Sequence, residues 1–357
     1  MSRGRVNPYE VFRQQVCTLG GITQFETQFP MGKPWHSLDL LFDFSVTQLL
    51  TPGVGPILDG LLKAIRAISF FSPKNEYIFN QVPGRLAYVI AIDAFDYGSP
   101  RVDSVTTGAA SSTQNYVVLL RIPMYDPLAY DPSDFILDTL NYSTMTLTVQ
   151  IGSGGTDLYT TPNTAVLATC LLTATLIQEE SALVVQANMS NLPMASKDKM
   201  QKEMGKFYLT HGVAIFGDPT AVGFLDIPRS SDLAYYKYFV GFFQPTVSAG
   251  QPFDGISDNI GTRFTDFTLQ VDTGYPIKQV RSLYLQAAWQ ARVSAFAASF
   301  FPNSYWQFNW SPRGQKQAAQ YSGDKALLRL TWNASGTPPS AGSQLAIGYK
   351  GFRARVA

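Results

Sequence analysis

Charge is what this sequence has least of. Asp, Glu, Lys and Arg make up 15% of its 357 residues and nearly cancel, leaving a formal net charge of +1. An average soluble protein carries about 25%. So weak a balance gives no field able to hold a polyanion non-specifically, and no run of five like charges occurs, so direct nucleic-acid binding is not expected. Histidine is as scarce. His36 and His211 are the only two, in neither an H-x-H nor an H-E-x-x-H arrangement, and no C-x-x-C occurs. A catalytic zinc site is therefore not expected, and His211 reads as a packed residue in a strand. Cys17 and Cys170 lie far apart, each within an apolar pattern, which fits reduced buried thiols better than a disulfide framework.

Long apolar runs are missing too. The least charged stretch, TAVLATCLLTATLI from Thr164 to Ile177, is too short and too rich in Thr and β-branched residues for a membrane helix. The start, MSRGRVNPYE, has basic residues with no apolar run behind them, so a signal peptide is not expected and the chain reads as soluble. Phosphate cradles are absent: MGKPW and MGKFY lack both the earlier glycine and the following Ser or Thr of a P-loop. GVGPIL lacks the third glycine of a dinucleotide fingerprint, and Ser153 sits in a GSGG turn rather than a nucleophile elbow. Paired carboxylates remain, since glycoside chemistry needs only two acids about 5–9.5 Å apart. Asp93, Asp96, Asp126, Asp131 and Asp134 are the candidates. Asp131-Pro132-Ser133-Asp134, however, matches the cap and first three positions of a helix with Phe135, Ile136 and Leu140 behind it, so capping outweighs catalysis there. No catalytic residue, cofactor or metal is assigned, and an enzyme is not expected.

What is abundant is aromatic and turn-forming: 13% Phe, Trp and Tyr, with 28 Gly and 22 Pro. Depleted charge with enriched aromatics is the composition of surfaces that face other subunits, although an ordinary β-sandwich protein shares it. Short apolar runs bounded by Pro, Gly and Asn read as strands. In the first half these are LDLLFDFSVTQ, RAISFF, GRLAYVIAIDAF, NYVVLLRIPMY, STMTLTVQIG, TAVLATCLLTATLI and SALVVQANMS, with one short helical pattern at GPILDGLLKAI. A lysine-rich charged stretch, Ala195 to Lys206, reads as a polar link. Strand-like runs resume with FYLTHGVAIFG, TRFTDFTLQV, SYWQFNW, KALLRLTW and LAIGYKGFRARV, interrupted by an Ala-rich helical stretch from Ser282 to Phe300. At the N-terminus, Asn7-Pro8-Tyr9-Glu10 resembles a capped helix start, with Tyr9, Phe12, Val16 and Leu19 on one stripe. The expected fold is all-β: two eight-stranded jelly-roll sandwiches in one chain, with short helices in inter-strand excursions and an N-terminal helix. The expected boundaries are 1–20 for the arm, 21–190 for the first roll, 191–206 for the link and 207–357 for the second roll.

The order of these features resembles the double jelly-roll major capsid proteins of tailless, internal-membrane icosahedral phages, the tectivirus type. IPMYDPLAYDPSDF carries the best likeness, through Pro127-Leu128-Ala129-Tyr130 followed by an acidic cap and short helix. GPILDGLLKAIRAISFFSPKNEYI, DIPRSSDLAYYKYF and YLQAAWQARVSAFAASFFPNSYWQF are similar to further stretches of that family, in the same order. The resemblance implies a coat protein that forms homotrimers of near-hexagonal outline. These would tile an icosahedral shell over a viral membrane, meeting neighbouring capsomers and minor capsid and vertex proteins. It implies a place in the virion capsid after assembly in the host cytoplasm. It also implies that Arg3, Arg5 and Arg13 face the membrane and that Tyr125, Tyr130, Phe135 and Trp289 make subunit contacts. Two other classes stay open: a carbohydrate-binding or adhesin-type β protein, which needs accessible aromatics such as Trp35, Trp306 or Trp310, and a glycoside-acting enzyme.

Overall fold

The computed structural model of the chain describes residues 6–27, 35–49, 60–74, 76–94, 101–106, 108–124, 144–159, 165–179, 207–216, 223–227, 233–243, 264–271, 277–280, 305–309, 321–322, 328–334 and 344–354. Two units divide it: Met1–His211 with Phe352–Ala357, and Gly212–Gly351.

The first unit contains β1 (Val6–Val16), β2 (Gly21–Thr27), β3 (Trp35–Gln48), α1 (Gly60–Ala64), β4 (Ile65–Phe71) and β5 (Tyr77–Val82). After these come α2 (Gly84–Ala94), β6 (Arg101–Val102), β7 (Thr113–Pro123), β8 (Met145–Ile151), α3 (Gly155–Leu158) and β9 (Ala165–Glu179). One sheet runs β1-β9-β3-β7-β6, and a second sheet carries the order β5-β4-β8-β2. Period-two alternation explains the pairing, because successive strand side chains point to opposite faces. On β3, Leu38, Leu40, Phe42, Phe44 and Val46 turn inward and are almost fully buried. Opposite them in register stand Tyr116, Val118, Leu120 and Ile122 of β7 and Cys170, Leu172, Ala174 and Leu176 of β9. The second sheet adds Ile68 and Phe70 of β4 and Met145, Leu147, Val149 and Ile151 of β8. Each such side chain contributes roughly 1.5–3 kcal/mol by leaving water. β9 keeps its phase by a bulge: Ser45 pairs with Thr169 and Val46 with Leu167, so Ala168 is the extra residue and both Leu167 and Cys170 stay inward.

The second unit repeats the scheme. Its strands are β10 (Phe207–Phe216), where the division falls at His211, β11 (Gly223–Ile227), β12 (Leu233–Phe243), β13 (Phe264–Val271) and β14 (Ile277–Val280). They continue with β15 (Tyr305–Asn309), β16 (Tyr321–Ser322), β17 (Leu328–Ala334) and β18 (Gln344–Ala354), where the division falls after Gly351. One order is β15-β12-β18-β10, with β16 on β12, and the other is β11-β17-β13-β14. With the two-residue strands β6 and β16 set aside, the eight strands of each half fall in the order 1-8-3-6 in one sheet and 2-7-4-5 in the other. That is the jelly-roll order, reached twice in one chain.

Two expectations are corrected. The N-terminal segment forms strand β1, not a helix: it pairs antiparallel with β9 from Val6↔Glu179 to Val16↔Leu171. Register shifts at Glu10/Phe12 and Phe12/Gln15 reset the phase of its side chains, which gave apolar residues a helical spacing in a bulged strand. Pro8 is tolerated because β1 is the edge of its sheet. GRLAYVIAIDAF, expected as a strand, forms α2. Leu86, Ala87, Ile90 and Ala91 share one buried helical face, and the Ala87 N–H donates to the Pro83 carbonyl at 2.8 Å. Gly84 lets this helix pack close, since a Cβ there would lie 2.5 Å from the Leu62 carbonyl oxygen. The runs expected at 181–190, 195–206 and 282–300 lie outside the described residues.

Candidate functional site

In an antiparallel roll whose strands alternate direction, the odd connections gather at one end and the even ones at the other. In the first unit this puts α1, α2 and α3 together, since they lie in the third-to-fourth, fifth-to-sixth and seventh-to-eighth connections. α1 packs against both α2 and α3. A polar knot ties the same end. Gln48, the last residue of β3, donates through Nε2 to the Tyr159 hydroxyl at 2.5 Å, and that hydroxyl donates to the Thr106 carbonyl at 2.8 Å. The Thr106 N–H donates to the Tyr116 hydroxyl at 3.2 Å, which in turn bonds Gln114. Burial raises the Tyr159 pKa, outweighing the Gln48 hydrogen bond, so the phenol keeps the proton it donates.

Charged groups nearby are committed to structure. Arg66 on β4 meets Asp157 on α3 through two bonds of 2.7 and 2.9 Å from one guanidinium nitrogen, with the Asp157 side chain 1% exposed. Gly152 makes room for the pair, because a Cβ there would sit 2.5 Å from Asp157 Oδ2. On the outer face of the first sheet Arg121 bonds both carboxylate oxygens of Asp39, at 2.5 and 2.6 Å. Desolvation, followed by the Arg121 charge, lowers the His36 pKa to about 4, so its ring is neutral at neutral pH. Asp103 accepts from Arg101 at 3.0 Å and from the Val117 N–H at 2.8 Å. Among the described residues no group of three or more His, Cys, Asp or Glu is placed to hold a metal, and no helix is long and apolar enough to cross a membrane. Of the carboxylates weighed for glycoside chemistry, Asp93 falls on α2, and Asp96, Asp126, Asp131 and Asp134 lie outside the described residues.

Exposed apolar side chains mark a second kind of surface. β1 and β2 are edge strands, closed against each other by Phe12 and Phe25 stacked at 4.9 Å. They present Tyr9, Val16 and Ile22 to solvent, Ile22 being 67% exposed. In the second unit Phe224 on edge strand β11 is 61% exposed, with the Arg329 guanidinium 4.2 Å above its ring. Tyr9 and Val16 were expected on the apolar stripe of a helix, and Ile22 and Phe224 were missed from sequence. Ile22 carried a readable signal, an apolar residue sharing a strand face with Gln24 and Glu26. Of the residues expected to act, Arg13 is exposed on β1. Arg3, Arg5, Tyr125, Tyr130, Phe135 and Trp289 lie outside the described residues. Trp35, needed accessible by a glycan-binding reading, is fully buried, and His211 is a packed residue with its ring edge-on to Phe79 at 5.2 Å.

No protein-family model matches the sequence, and no curated protein matches it. Solved structures do. The major capsid protein of Sulfolobus turreted icosahedral virus superposes with a TM-score of 0.65 at 11% identity, over 98% of this chain and 97% of that one. The folds are the same: a double jelly roll. The major capsid protein P2 of bacteriophage PM2 matches with a TM-score of 0.57 at 9% identity, over 99% and 98% of the two chains. The PBCV-1 virus capsid matches at 0.56 and 13%, over 98% and 94%. In each case the likeness runs through both rolls of this chain rather than one.

Proposed function

We propose that this chain is a viral major capsid protein that assembles as trimers of near-hexagonal outline tiling an icosahedral shell. The observation that carries the reading is coverage: the double jelly roll matches capsid proteins over 98% and 99% of this chain and 97% and 98% of theirs. A low charge content and exposed aromatics on edge strands suit a protein whose partner is another copy of itself. In this reading its partners are its own copies, minor capsid and vertex proteins, and an internal membrane, and it acts in the virion capsid after assembly in host cytoplasm. Tyr125, Tyr130, Phe135 and Trp289 would meet neighbouring subunits, and residues 191–206 would link the rolls. The membrane-facing part narrows to the residues before β1, with Arg3 and Arg5 each worth about 1 kcal/mol at an anionic surface and Arg13 available on the edge strand.

Light scattering with negative-stain microscopy tests the proposal. The expected particle has about three times the 39.3 kDa chain mass and a hexagonal outline. A monomer of irregular outline at micromolar concentration refutes it. Deleting residues 1–5 leaves β1 intact, and should keep the trimer while weakening flotation with anionic vesicles.

A further inference from the structure

Cys17 and Cys170 are 2% and 0% exposed and both are free thiols. They stand directly across from each other. The last assigned pair of the β1–β9 ladder is Val16↔Leu171, and the Cys17 N–H donates to the Cys170 carbonyl at 2.9 Å, which continues that register by one residue. Hydrogen-bonded antiparallel partners have Cα atoms about 5.5 Å apart, inside the roughly 4.4–6.8 Å range that disulfides span. The side chains also interact: the neighbouring Cys17 thiol, together with burial, pushes the Cys170 pKa up. No other group described here uses these thiols.

We propose that Cys17 and Cys170 form a disulfide on oxidation, stapling edge strand β1 to β9. The bridge would enclose β2 through β8, so it would join the first and last strands of the first roll and fasten an edge strand whose pairing shifts register twice. The oxidant is a small-molecule disulfide. Cys17, at the end of β1 and the less buried of the two, loses its proton and attacks one sulfur, expelling a first thiolate. Cys170 then loses its proton and attacks the Cys17 sulfur of the mixed disulfide, expelling the second. The S–S bond of the oxidant breaks, a new one forms between the strands, and the two protons end on the two released thiols. Burial disfavours the thiolate, so access depends on local opening of β1. That strand is an edge, carries two register shifts, and has Gln14 at a φ of 50°.

The test uses the full chain purified under reducing conditions, then held with oxidised glutathione either folded or while refolding from urea. Each sample is denatured in acid, treated with N-ethylmaleimide and weighed intact. The expected product is about 2 Da lighter than the reduced chain, takes up no maleimide, and yields a single cross-linked peptide pair containing positions 17 and 170. Its thermal midpoint rises by about 5–10 °C, and the rise vanishes with dithiothreitol. Cys17→Ala and Cys170→Ala, both small changes at core positions, should show neither effect. Two maleimide adducts in both arms, glutathione mixed disulfides as end products, or a bridge joining two chains would each overturn the proposal.

Discussion

The Arg66–Asp157 pair tests how the helix-capped end of the first roll is held. Asp157→Asn keeps the side-chain shape but removes the charge opposite a guanidinium whose side chain is 17% exposed. Breaking a buried pair by removing one partner costs about 3–5 kcal/mol, and neutral hydrogen bonds from Asn recover part of it, so about 2–3 kcal/mol is expected. Arg66→Met is the harsher change. It leaves a carboxylate with a 1% exposed side chain and without its guanidinium, so about 3–5 kcal/mol is expected. For a unit of roughly 200 residues each kcal/mol moves the midpoint by about 2–4 °C. Asp157→Asn should therefore lower it by about 4–12 °C and Arg66→Met by more. Arg66→Met combined with Asp157→Leu should restore much of the loss, because an apolar replacement of the whole pair leaves no lone buried charge. Urea unfolding followed by far-ultraviolet circular dichroism measures all four chains. The reasoning fails if Asp157→Asn costs under about 1 kcal/mol, if Arg66→Met is the milder variant, or if the double variant is no more stable than Arg66→Met alone.

Phe42→Ala, at a fully buried position on β3 between β7 and β9, should cost about 3–5 kcal/mol in the same assay. Gly154→Ala should destabilise by more than about 1 kcal/mol, since Gly154 has a φ of 96° and a Cβ there would lie 2.5 Å from Leu167 Cγ. His36 has a pKa near 4 in the folded chain against 6.5 unfolded, so between these values the unfolded chain binds the extra proton and stability falls as the solution is acidified. His36→Gln should flatten the pH dependence of the urea unfolding free energy across that window by up to about 1.4 kcal/mol per pH unit relative to the parent. An unchanged slope would show that His36 is not neutral in the fold.

Legibility in the sequence followed the length and boundaries of the apolar runs. LDLLFDFSVTQ, NYVVLLRIPMY and STMTLTVQIG read as strands because they are short apolar runs bounded by turn residues, and they fall on β3, β7 and β8, whose side chains alternate inward and outward along most of their length. β1 was not legible, because two register shifts spaced Tyr9, Phe12 and Val16 as a helix would. Nor was α2, because an apolar run of its length carries no period that separates a buried helix from a buried strand. The assembly surface was less legible still. Of seven residues expected to act, only Arg13 falls among the described ones, while Tyr9 and Val16 were read as one face of a helix and Ile22 and Phe224 drew no notice, because exposure depends on which strands lie at edges. The facing of Cys17 and Cys170 was invisible for a related reason: it depends on the pairing of the first strand with the last, which no local pattern encodes.

The repeat of strand order without a repeat of residues has a physical reason. A jelly roll demands inward apolar residues at every second position and turns of the right reach, and many sequences satisfy both. In the first sheet the demand is heaviest on β3 and β9, flanked on both sides and the longest strands of their unit at 14 and 15 residues. It is lightest on the edges and the long connections, where backbone groups need no ladder partner in the roll. The fifth-to-sixth connection is long in both halves, carrying α2 in the first and the Ala-rich 282–300 stretch in the second. The pattern demanded of a roll is therefore strictest in its central strands and loosest at edges and connections. In a self-assembling coat those looser parts are where one copy would recognise the next, so substitutions at Ile22 or Phe224 should alter association before they alter folding.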